Sequence, residues 1–409
     1  MATLLAPARR MRVFHALQHR DFRLLWSGQT ISLIGNTAFI TALGWRTFTL
    51  AGSTKFGLVL VAEALATLAT LLIGGALADR YSRRMLMIVS DVARFGAVGG
   101  LALTDATGHL TFPLILLFAI LVGLGDGFFY PAFGGIIPLV VEPPSLGSAN
   151  ALIGVSRYGS FLVGPALAAF LYDATSPALV FGLNSVSFLV SAFLLFLARP
   201  RLIDAVAREG TLREIRSGVR YVAGVPWLWV TIAMFSLVLM LQLAPQQVLL
   251  PQLIKEHFGR GIGSYGVLTA LVGLGMVVGT VLFGQLNPRR HRGRLSYVIW
   301  CANSLAIIGL VLSPWYELAL AFAVLRGALI GFGTALWDTM LMELVPERLL
   351  SRVVSLDIFG SFGLMPIGLL AAALVSGLAP PGPIIAVGAS VSAILFAVML
   401  TRPWLRRVD

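Results

Sequence analysis

Two acidic side chains lie deep within long apolar stretches of this sequence and could carry protons. Glu63 follows the run GLVLVA, and Asp126 sits within GLGDGFFYPAF. Charges at membrane depth are costly and usually mark a transport pathway or a buried pair. A carboxylate in low-dielectric surroundings can bind a proton and release it where water reaches it. The alternative is a static ion pair that only ties helices together. In that case Glu63 would pair with Arg46. Asp126 would pair with Arg157.

Further polar side chains lie in the same apolar stretches. Asp91 and Arg94, three residues apart, are predicted to form a local ion pair. Amide side chains cluster around Pro245 and could either line a cavity or hydrogen-bond across helices. The predicted cavity residues are Glu63, Asp126, Arg46, Arg157, Arg326, Asn36, Gln242 and Gln246.

The elements that hold these residues must be membrane-spanning helices. Of 409 residues, 58 % are hydrophobic and only 12 % are charged, and the mean hydropathy is +0.90. Such a composition excludes a soluble enzyme, a disordered regulator and a nucleic-acid binder, despite a net charge of +12. Turn and charge signals divide the chain into twelve apolar segments, each long enough to cross a bilayer as a helix. We number them spans 1 to 12: 24–50, 54–78, 85–104, 111–138, 148–171, 177–198, 227–252, 264–286, 295–313, 316–342, 350–377 and 382–401.

The cationic residues predict how these spans are oriented. If both ends of the chain face the cytoplasm, 23 of the 30 Lys and Arg residues lie on the cytoplasmic side and three on the other. This bias is what the positive-inside rule requires. The sequence therefore predicts a multi-pass protein of the inner (plasma) membrane with both termini cytoplasmic. The positive charge is a topology signal and not a nucleic-acid footprint.

The sequence also divides into two halves of six spans. The only long hydrophilic segment, 199–226, separates them and predicts an amphipathic helix on the membrane surface. Residues recur at an offset of about half the chain, where Gly57 meets Gly266 and Arg80 meets Arg289. We expect an N-terminal bundle over 1–198, a linker over 199–226 and a C-terminal bundle over 227–409. Two such bundles would share a site near the middle of the membrane.

The loop after span 2 carries a family resemblance. It reads GALADRYSRR from Gly75, which resembles the G-x-x-x-D-R-x-G-R-R signature of the major facilitator superfamily, with Ser82 replacing the second Gly. The opening RDFRLLWSGQ from Arg20 and the run SANAL from Ser148 are similar to the macrolide-efflux and siderophore-exporter branch of its drug–proton antiporters. The resemblance covers the whole chain. It implies an all-α membrane protein with twelve transmembrane helices in two six-helix bundles related by pseudo-twofold symmetry.

This loop also predicts a latch that holds the cytoplasmic side shut. A Gly at the end of span 2 would allow close helix approach, and an acidic side chain there could face the N-terminus of span 11. The Arg residues could bond to exposed carbonyls or to an acid on span 11, although the positive-inside rule alone explains some of them. The predicted latch residues are Gly75, Asp79, Arg80, Arg83, Arg84 and Asp357.

The resemblance implies a secondary active transporter and not an enzyme. It would export amphipathic organic compounds, such as a drug, an antibiotic or a siderophore-like metabolite, in exchange for protons by alternating access. An importer or a lipid flippase on the same fold is the alternative, and a polytopic membrane enzyme is a remote one. No nucleotide-binding loop and no His/Cys metal set occur, so an ion gradient is the expected energy source, without cofactor or metal. The expected partners are a small-molecule substrate, protons and the lipid bilayer, with the protein a monomer.

Overall fold

A computed structural model describes residues 12–201, 211–286, 288–402 and 405 of the protein. At several helical positions, among them Asp79 and Arg80, the side chain lies outside this description. Eleven helices in the described residues are long and apolar enough to cross a membrane, and the first of them holds two spans. The predicted all-α layout of twelve spans is therefore confirmed.

Spans 1 and 2 form one helical stretch, Arg20–Arg80, that reverses at Gly52. Gly52 has φ 83° and ψ 169°, a backbone conformation that is essentially restricted to glycine. The reversal brings Phe56 back against span 1, where its ring lies 3.0 Å from the position of a Cβ on Gly44. Residues twelve apart would be about 18 Å apart in a straight helix. The chain therefore crosses the membrane twice with almost no loop.

The remaining helices agree with the predicted spans to within a few residues. Spans 3 to 6 are Arg83–Ala106, Phe112–Val140, Leu146–Ala174 and Pro177–Leu197. A helix over Thr211–Gly224 lies in the predicted linker. Spans 8, 9, 10 and 12 are Ile262–Leu286, Arg292–Val311, Tyr316–Leu344 and Pro381–Leu400.

Spans 7 and 11 are interrupted helices. Span 7 comprises Pro226–Val238, a π-helical turn Leu239–Leu243, Ala244–Gln252 and a second π-helical turn Leu253–His257. Pro245 has no N–H to donate to the carbonyl of Leu241, which favours an irregular turn there. Span 11 is divided into Glu347–Phe362 and Met365–Val375. Both interruptions lie on spans that contact the other bundle.

The contacts between helices define two bundles with related interfaces. Spans 1 to 6 pack together, and spans 7 to 12 pack together. Between the bundles, span 5 packs against span 8 and span 2 packs against span 11. Moving six spans along the chain converts the first pair into the second, as pseudo-twofold symmetry requires. The sequence repeat therefore corresponds to a repeat in the packing.

The two bundles meet in the half of the membrane away from the basic loops. We call the end that carries Arg20, Arg83 and Arg292 the basic face, and the opposite end the far face. Near the far face, Trp45 stacks on Tyr265 of the other bundle with ring centroids 6.0 Å apart. Hydrogen bonds join the same region: Ser53 Oγ donates to Gln252 Oε1 (2.8 Å), and the hydroxyls of Thr54 and Ser376 lie 2.9 Å apart. These contacts join the bundles at the far face. Toward the basic face, Tyr130 and Arg157 of one bundle and Asp338 of the other are exposed, and we call the opening between them the cleft.

Candidate functional site

A buried triad of charges occupies the interior of the N-terminal bundle. Arg94 on span 3 donates from Nη1 to Asp126 Oδ1 of span 4 at 2.8 Å and from Nη2 to Asp91 Oδ1. Its guanidinium carbon lies 4.1 Å from the centre of the Phe129 ring and 4.5 Å from that of Phe188. The predicted pair of Asp91 and Arg94 is confirmed, with Asp126 as a second partner.

Neighbouring helices hold this triad in place. Ser191 on span 6 donates to Asp91 Oδ2 at 2.7 Å, and Gln29 on span 1 donates to the Ser191 hydroxyl at 2.8 Å. Gly125 lets the Arg94 chain pass, because a Cβ there would lie 2.7 Å from Arg94 Cγ. The triad thus connects spans 1, 3, 4 and 6. The predicted pairing of Asp126 with Arg157 is wrong, because Asp126 bonds to Arg94 on the neighbouring span 3.

Glu63 is the acidic side chain of this region without a fixed partner. It lies on span 2, partly exposed, and within electrostatic range of Asp126. The backbones of spans 2 and 4 touch here, because a Cβ on Gly123 would lie 2.4 Å from the Glu63 carbonyl oxygen. Among the described residues, no side chain forms a hydrogen bond or ion pair with its carboxylate. Its surroundings therefore allow the carboxylate to gain and lose a proton without breaking an ion pair.

Tyr130 and Arg157 lie next to these charges, on the side toward the basic face. We call Glu63, Asp126, Tyr130 and Arg157 the charged wall. The Tyr130 side chain is 50 % exposed, and its phenol interacts electrostatically with Asp126, Glu63 and Arg157. Arg157, on span 5, is exposed. Tyr130 was not among the predicted cavity residues, and its link to the charges was missed. Its position four residues after Asp126, on the same helix face, is the signal that could have found it.

The C-terminal bundle presents two carboxylates to this wall. Asp338 on span 10 is exposed and interacts electrostatically with Arg157 across the cleft and with Asp357 on span 11. Asp357 accepts a hydrogen bond from Trp337 Nε1 at 3.0 Å and a longer one from Ser361 Oγ at 3.5 Å. Charges of opposite sign thus face each other on the two bundles near the basic face.

The predicted amide residues of the cavity differ in their surroundings. Gln242 is buried and accepts from Ser304 Oγ at 2.8 Å, while Gln246 Nε2 donates to the Gln242 carbonyl at 2.8 Å. Both therefore brace the irregular turn of span 7. Asn36 is partly exposed on span 1. Arg326 lies near the middle of span 10, and its Nε is buried without a hydrogen-bond partner in the described part of the chain.

Arg46 does not belong to the central group of charges, contrary to the prediction. It lies near the far face, where its Nη2 is 2.7 Å from Asp105 Oδ1 and its Nε donates to the same oxygen at 2.8 Å. Asp105 ends span 3, next to the turn that leads to span 4. A pairing of Arg46 with Glu63 is therefore also wrong. The prediction failed because span 3 reaches the far face at the level of Arg46.

Two of the predicted latch residues, Arg83 and Arg84, bond to backbone carbonyls of the N-terminal bundle. Arg83 donates to the Gly135 carbonyl at 2.5 Å. Arg84 donates to the carbonyls of Leu195, at 2.9 Å, and Phe196. These bonds agree with the carbonyl alternative. The side chains of Asp79 and Arg80 lie outside the described residues, so the latch as a whole stays a prediction.

Gly75 does not support the close approach predicted for it. No described atom lies within 4 Å of where its Cβ would be, whereas a Cβ on Gly74 would lie 2.4 Å from the Gly127 carbonyl oxygen. Gly74 is therefore the residue that lets spans 2 and 4 touch.

The described part of the chain contains no cluster of three or more His, Cys, Asp or Glu side chains arranged for a metal ion. The polar groups of the cleft are instead separate charges on different helices. Such an arrangement suits a site that binds a charged or polar compound and releases it when the helices move.

Comparison with known proteins identifies relatives of the whole chain. The model of a family described as transmembrane secretion effector matches residues 12–406. Macrolide efflux protein A of Streptococcus pyogenes is 24 % identical over 86 % of this chain and 88 % of its own length. The enterobactin exporter EntS of Shigella boydii is 27 % identical over 82 % of this chain and 80 % of its own.

Solved transporter structures share the fold. A bacterial homologue of the iron transporter ferroportin, in an inward-facing state, superposes with a TM-score of 0.71 at 18 % identity, covering 94 % of this chain and 99 % of that one. The nucleoside transporter NupG gives 0.70 at 13 % identity, covering 93 % and 99 %. These structures support the arrangement of two six-helix bundles.

Proposed function

Because the chain belongs to the transmembrane secretion effector family of the major facilitator superfamily, we propose that it exports amphipathic organic compounds in exchange for protons. It is a multi-pass membrane transporter and not an enzyme. Its two named relatives are a macrolide efflux protein and an enterobactin exporter, which supports export of large organic molecules. The observation that supports the coupling to protons is the partly exposed Glu63 carboxylate, which pairs with no side chain among the described residues.

Substrate and proton would compete for the cleft. In the conformation described, the cleft is open toward the basic face, which the positive-inside rule assigns to the cytoplasm. A substrate entering from that side would meet Glu63 and Tyr130 of one bundle and span 10 of the other. Protonation of Glu63 from the opposite side would weaken its hold on a cationic or polar group and return the empty protein.

Alternating access would exchange one set of inter-bundle contacts for another. Opening the far face requires the hydrogen bonds of Ser53 and Thr54 to break. Closing the basic face would bring Arg157 onto Asp338, whose charges attract, and the loop after span 2 onto the start of span 11. The attraction between these two charges would stabilise the basic face while it is closed.

The remaining features of the proposal concern the assembly and its location. We place the N-terminal bundle at 1–198, the linker at 199–226 and the C-terminal bundle at 227–409. Contacts tie the linker to both: the Arg199 N–H donates to Asp21 Oδ1 at 3.1 Å, and Gly218 lies against Arg352. The protein would act as a monomer in a bacterial inner membrane with both termini cytoplasmic.

The test of this proposal is transport by Glu63→Gln in proteoliposomes. A macrolide antibiotic and enterobactin, the compounds named in the two relatives, serve as test substrates. The wild type is expected to accumulate at least one of them against its gradient when a pH difference is imposed, and to stop when a protonophore is added. Glu63→Gln is expected to lose uphill transport but to retain exchange of labelled for unlabelled substrate, because only the proton step is removed.

Glu317→Gln is the matched control, since Glu317 is exposed at the far face in an ion pair with Arg260. It should transport like the wild type. Undiminished uphill transport by Glu63→Gln would remove Glu63 from the mechanism. If the wild type ignores the pH difference, proton exchange itself is wrong.

A further inference from the structure

The middle of the C-terminal bundle contains a cation whose charge nothing in the described residues balances. Arg326 lies near the centre of span 10, Tyr316–Leu344, and forms no ion pair or hydrogen bond there. Its Nε is completely buried without a partner. An uncompensated guanidinium at this depth is costly, and such residues mark pathways or binding sites.

Among the described residues, no acidic side chain of the C-terminal bundle pairs with Arg326. Glu317 pairs with Arg260 at the far face, and Glu343 pairs with Arg292 near the basic face. Asp338 is twelve residues farther along span 10, which is about 18 Å of helix. Arg94 differs in this respect, because it binds two carboxylates in the N-terminal bundle.

Arg326 points away from the tightest packing of span 10. The backbones of spans 8 and 10 are in close contact at Gly327, because a Cβ on this residue would lie 2.1 Å from the Val272 carbonyl oxygen. Arg326 shares its helix face with Trp337, three turns farther on, since eleven residues bring a helix back to the same side. Trp337 reaches Asp357 on span 11 and packs edge-on against Trp227 of span 7. The Arg326 side of span 10 is therefore turned away from span 8, with spans 7 and 11 beside its end near the basic face and span 9 beside its middle, and the Arg326 side chain is partly exposed there.

A second unsatisfied polar atom lies close to the same level. Gly309 contacts the Phe322 ring and Gly333 contacts Trp300, so the pairing of spans 9 and 10 places Arg326 beside the stretch that contains Asn303. Asn303 Oδ1 is buried without a hydrogen-bond partner in the described part of the protein. Buried polar groups are normally satisfied, and exceptions call for a missing partner. A water molecule could satisfy either atom but would not neutralise the charge of Arg326.

We propose that Arg326 binds an anionic group of the transported compound, a carboxylate, sulfonate or phenolate carried on an apolar body. This inference deepens the proposed export function and rests on it for the identity of the occupant as cargo. The level of Arg326 is about 15 Å from either headgroup layer, which excludes a lipid headgroup as the occupant. The planar guanidinium binds such oxygen anions in a bidentate way that lysine cannot reproduce.

Binding of two charge-matched dyes to the purified protein tests the proposal. Fluorescein is an anionic xanthene dye, and tetramethylrhodamine methyl ester is a cationic one of similar size. Fluorescence polarisation is expected to show that the wild type binds fluorescein at least tenfold more tightly than Arg326→Gln does. Arg326→Lys should lie between them, and the cationic dye should bind Arg326→Gln at least as well as it binds the wild type.

Arg260→Gln, which removes an exposed cation at the far face, controls for general loss of positive charge and should bind like the wild type. Equal fluorescein affinity of the wild type and Arg326→Gln, or no saturable fluorescein binding by the wild type, would overturn the proposal. If Arg326→Gln does not fold, an Arg326→Lys affinity equal to that of the wild type does the same. Transport assays separate the two ideas: Arg326-dependent binding without proton-driven transport contradicts the proposed function alone.

Discussion

Replacing Arg94 by Gln is the sharpest test of the charged triad. The change keeps a polar side chain, although a shorter one, and removes the positive charge between Asp91 and Asp126. The exposed fractions of the Arg94, Asp91 and Asp126 side chains are 5 %, 0 % and 9 %, respectively. The two carboxylates would therefore face each other in the bundle with no counter-ion, and Arg94 would also lose its two ring contacts.

The expected loss follows from this burial. Removing one partner of a buried ion pair costs roughly 3–5 kcal/mol, because the remaining charge is uncompensated. The neutral triple variant Asp91→Asn/Arg94→Gln/Asp126→Asn keeps the shape and removes every charge. Since this variant leaves no buried charge without a partner, we expect its free energy of unfolding to lie within about 1–2 kcal/mol of that of the wild type.

Unfolding in mixed micelles, followed by tryptophan fluorescence during titration with a denaturing detergent, measures both free energies. Arg260→Gln is the control, because an exposed ion pair contributes only about 0–1 kcal/mol. A loss below about 1 kcal/mol in Arg94→Gln would contradict the reasoning. So would a triple variant that is no more stable than the single one. Either result would mean that the triad is hydrated and not a buried brace.

Two further substitutions examine the packing and the motion. Gly279→Ala should destabilise the protein by about 1–3 kcal/mol, because a Cβ would lie 1.9 Å from the Ala328 carbonyl oxygen, whereas Gly284→Ala meets open space and should be neutral in the same unfolding assay. Cysteines placed at Arg157 and Asp338, with the single native Cys301 changed to Ser, should cross-link under oxidation when the basic face closes and should then block transport. Absence of a cross-link in actively transporting vesicles would refute closure at this pair.

The architecture could be predicted from the sequence because it follows from hydropathy and charge. Span length, the distribution of Arg residues and the repeat of spans determine how many times the chain crosses and where it divides. Each of these properties is summed over a whole segment, so a misjudged position at one residue changes neither the number of spans nor their orientation. The reversal at Gly52 was within the predicted gap between spans 1 and 2, although its tightness was not evident from one glycine.

The partners of the charges could not be predicted in the same way. Sequence reasoning offered only Arg157 as the partner of Asp126, whereas the packing of span 3 on span 4 places Arg94 there. The rotation of span 2 likewise decides that Gly74, and not Gly75, meets span 4. Helix rotation and relative height depend on side-chain packing between distant segments, which a single sequence does not specify.

The near-absence of a loop at Gly52 has a mechanical consequence. Spans 1 and 2 are joined there by one residue in an unusual backbone conformation, and the Ser53 and Thr54 hydroxyls bond to the other bundle immediately afterwards. Because no loop separates the two spans, their ends at the far face cannot move apart and must move together. Release of substrate at the far face then requires spans 1 and 2 to tilt together, and the hydrogen bonds of Ser53 and Thr54 to the other bundle to break in the same step.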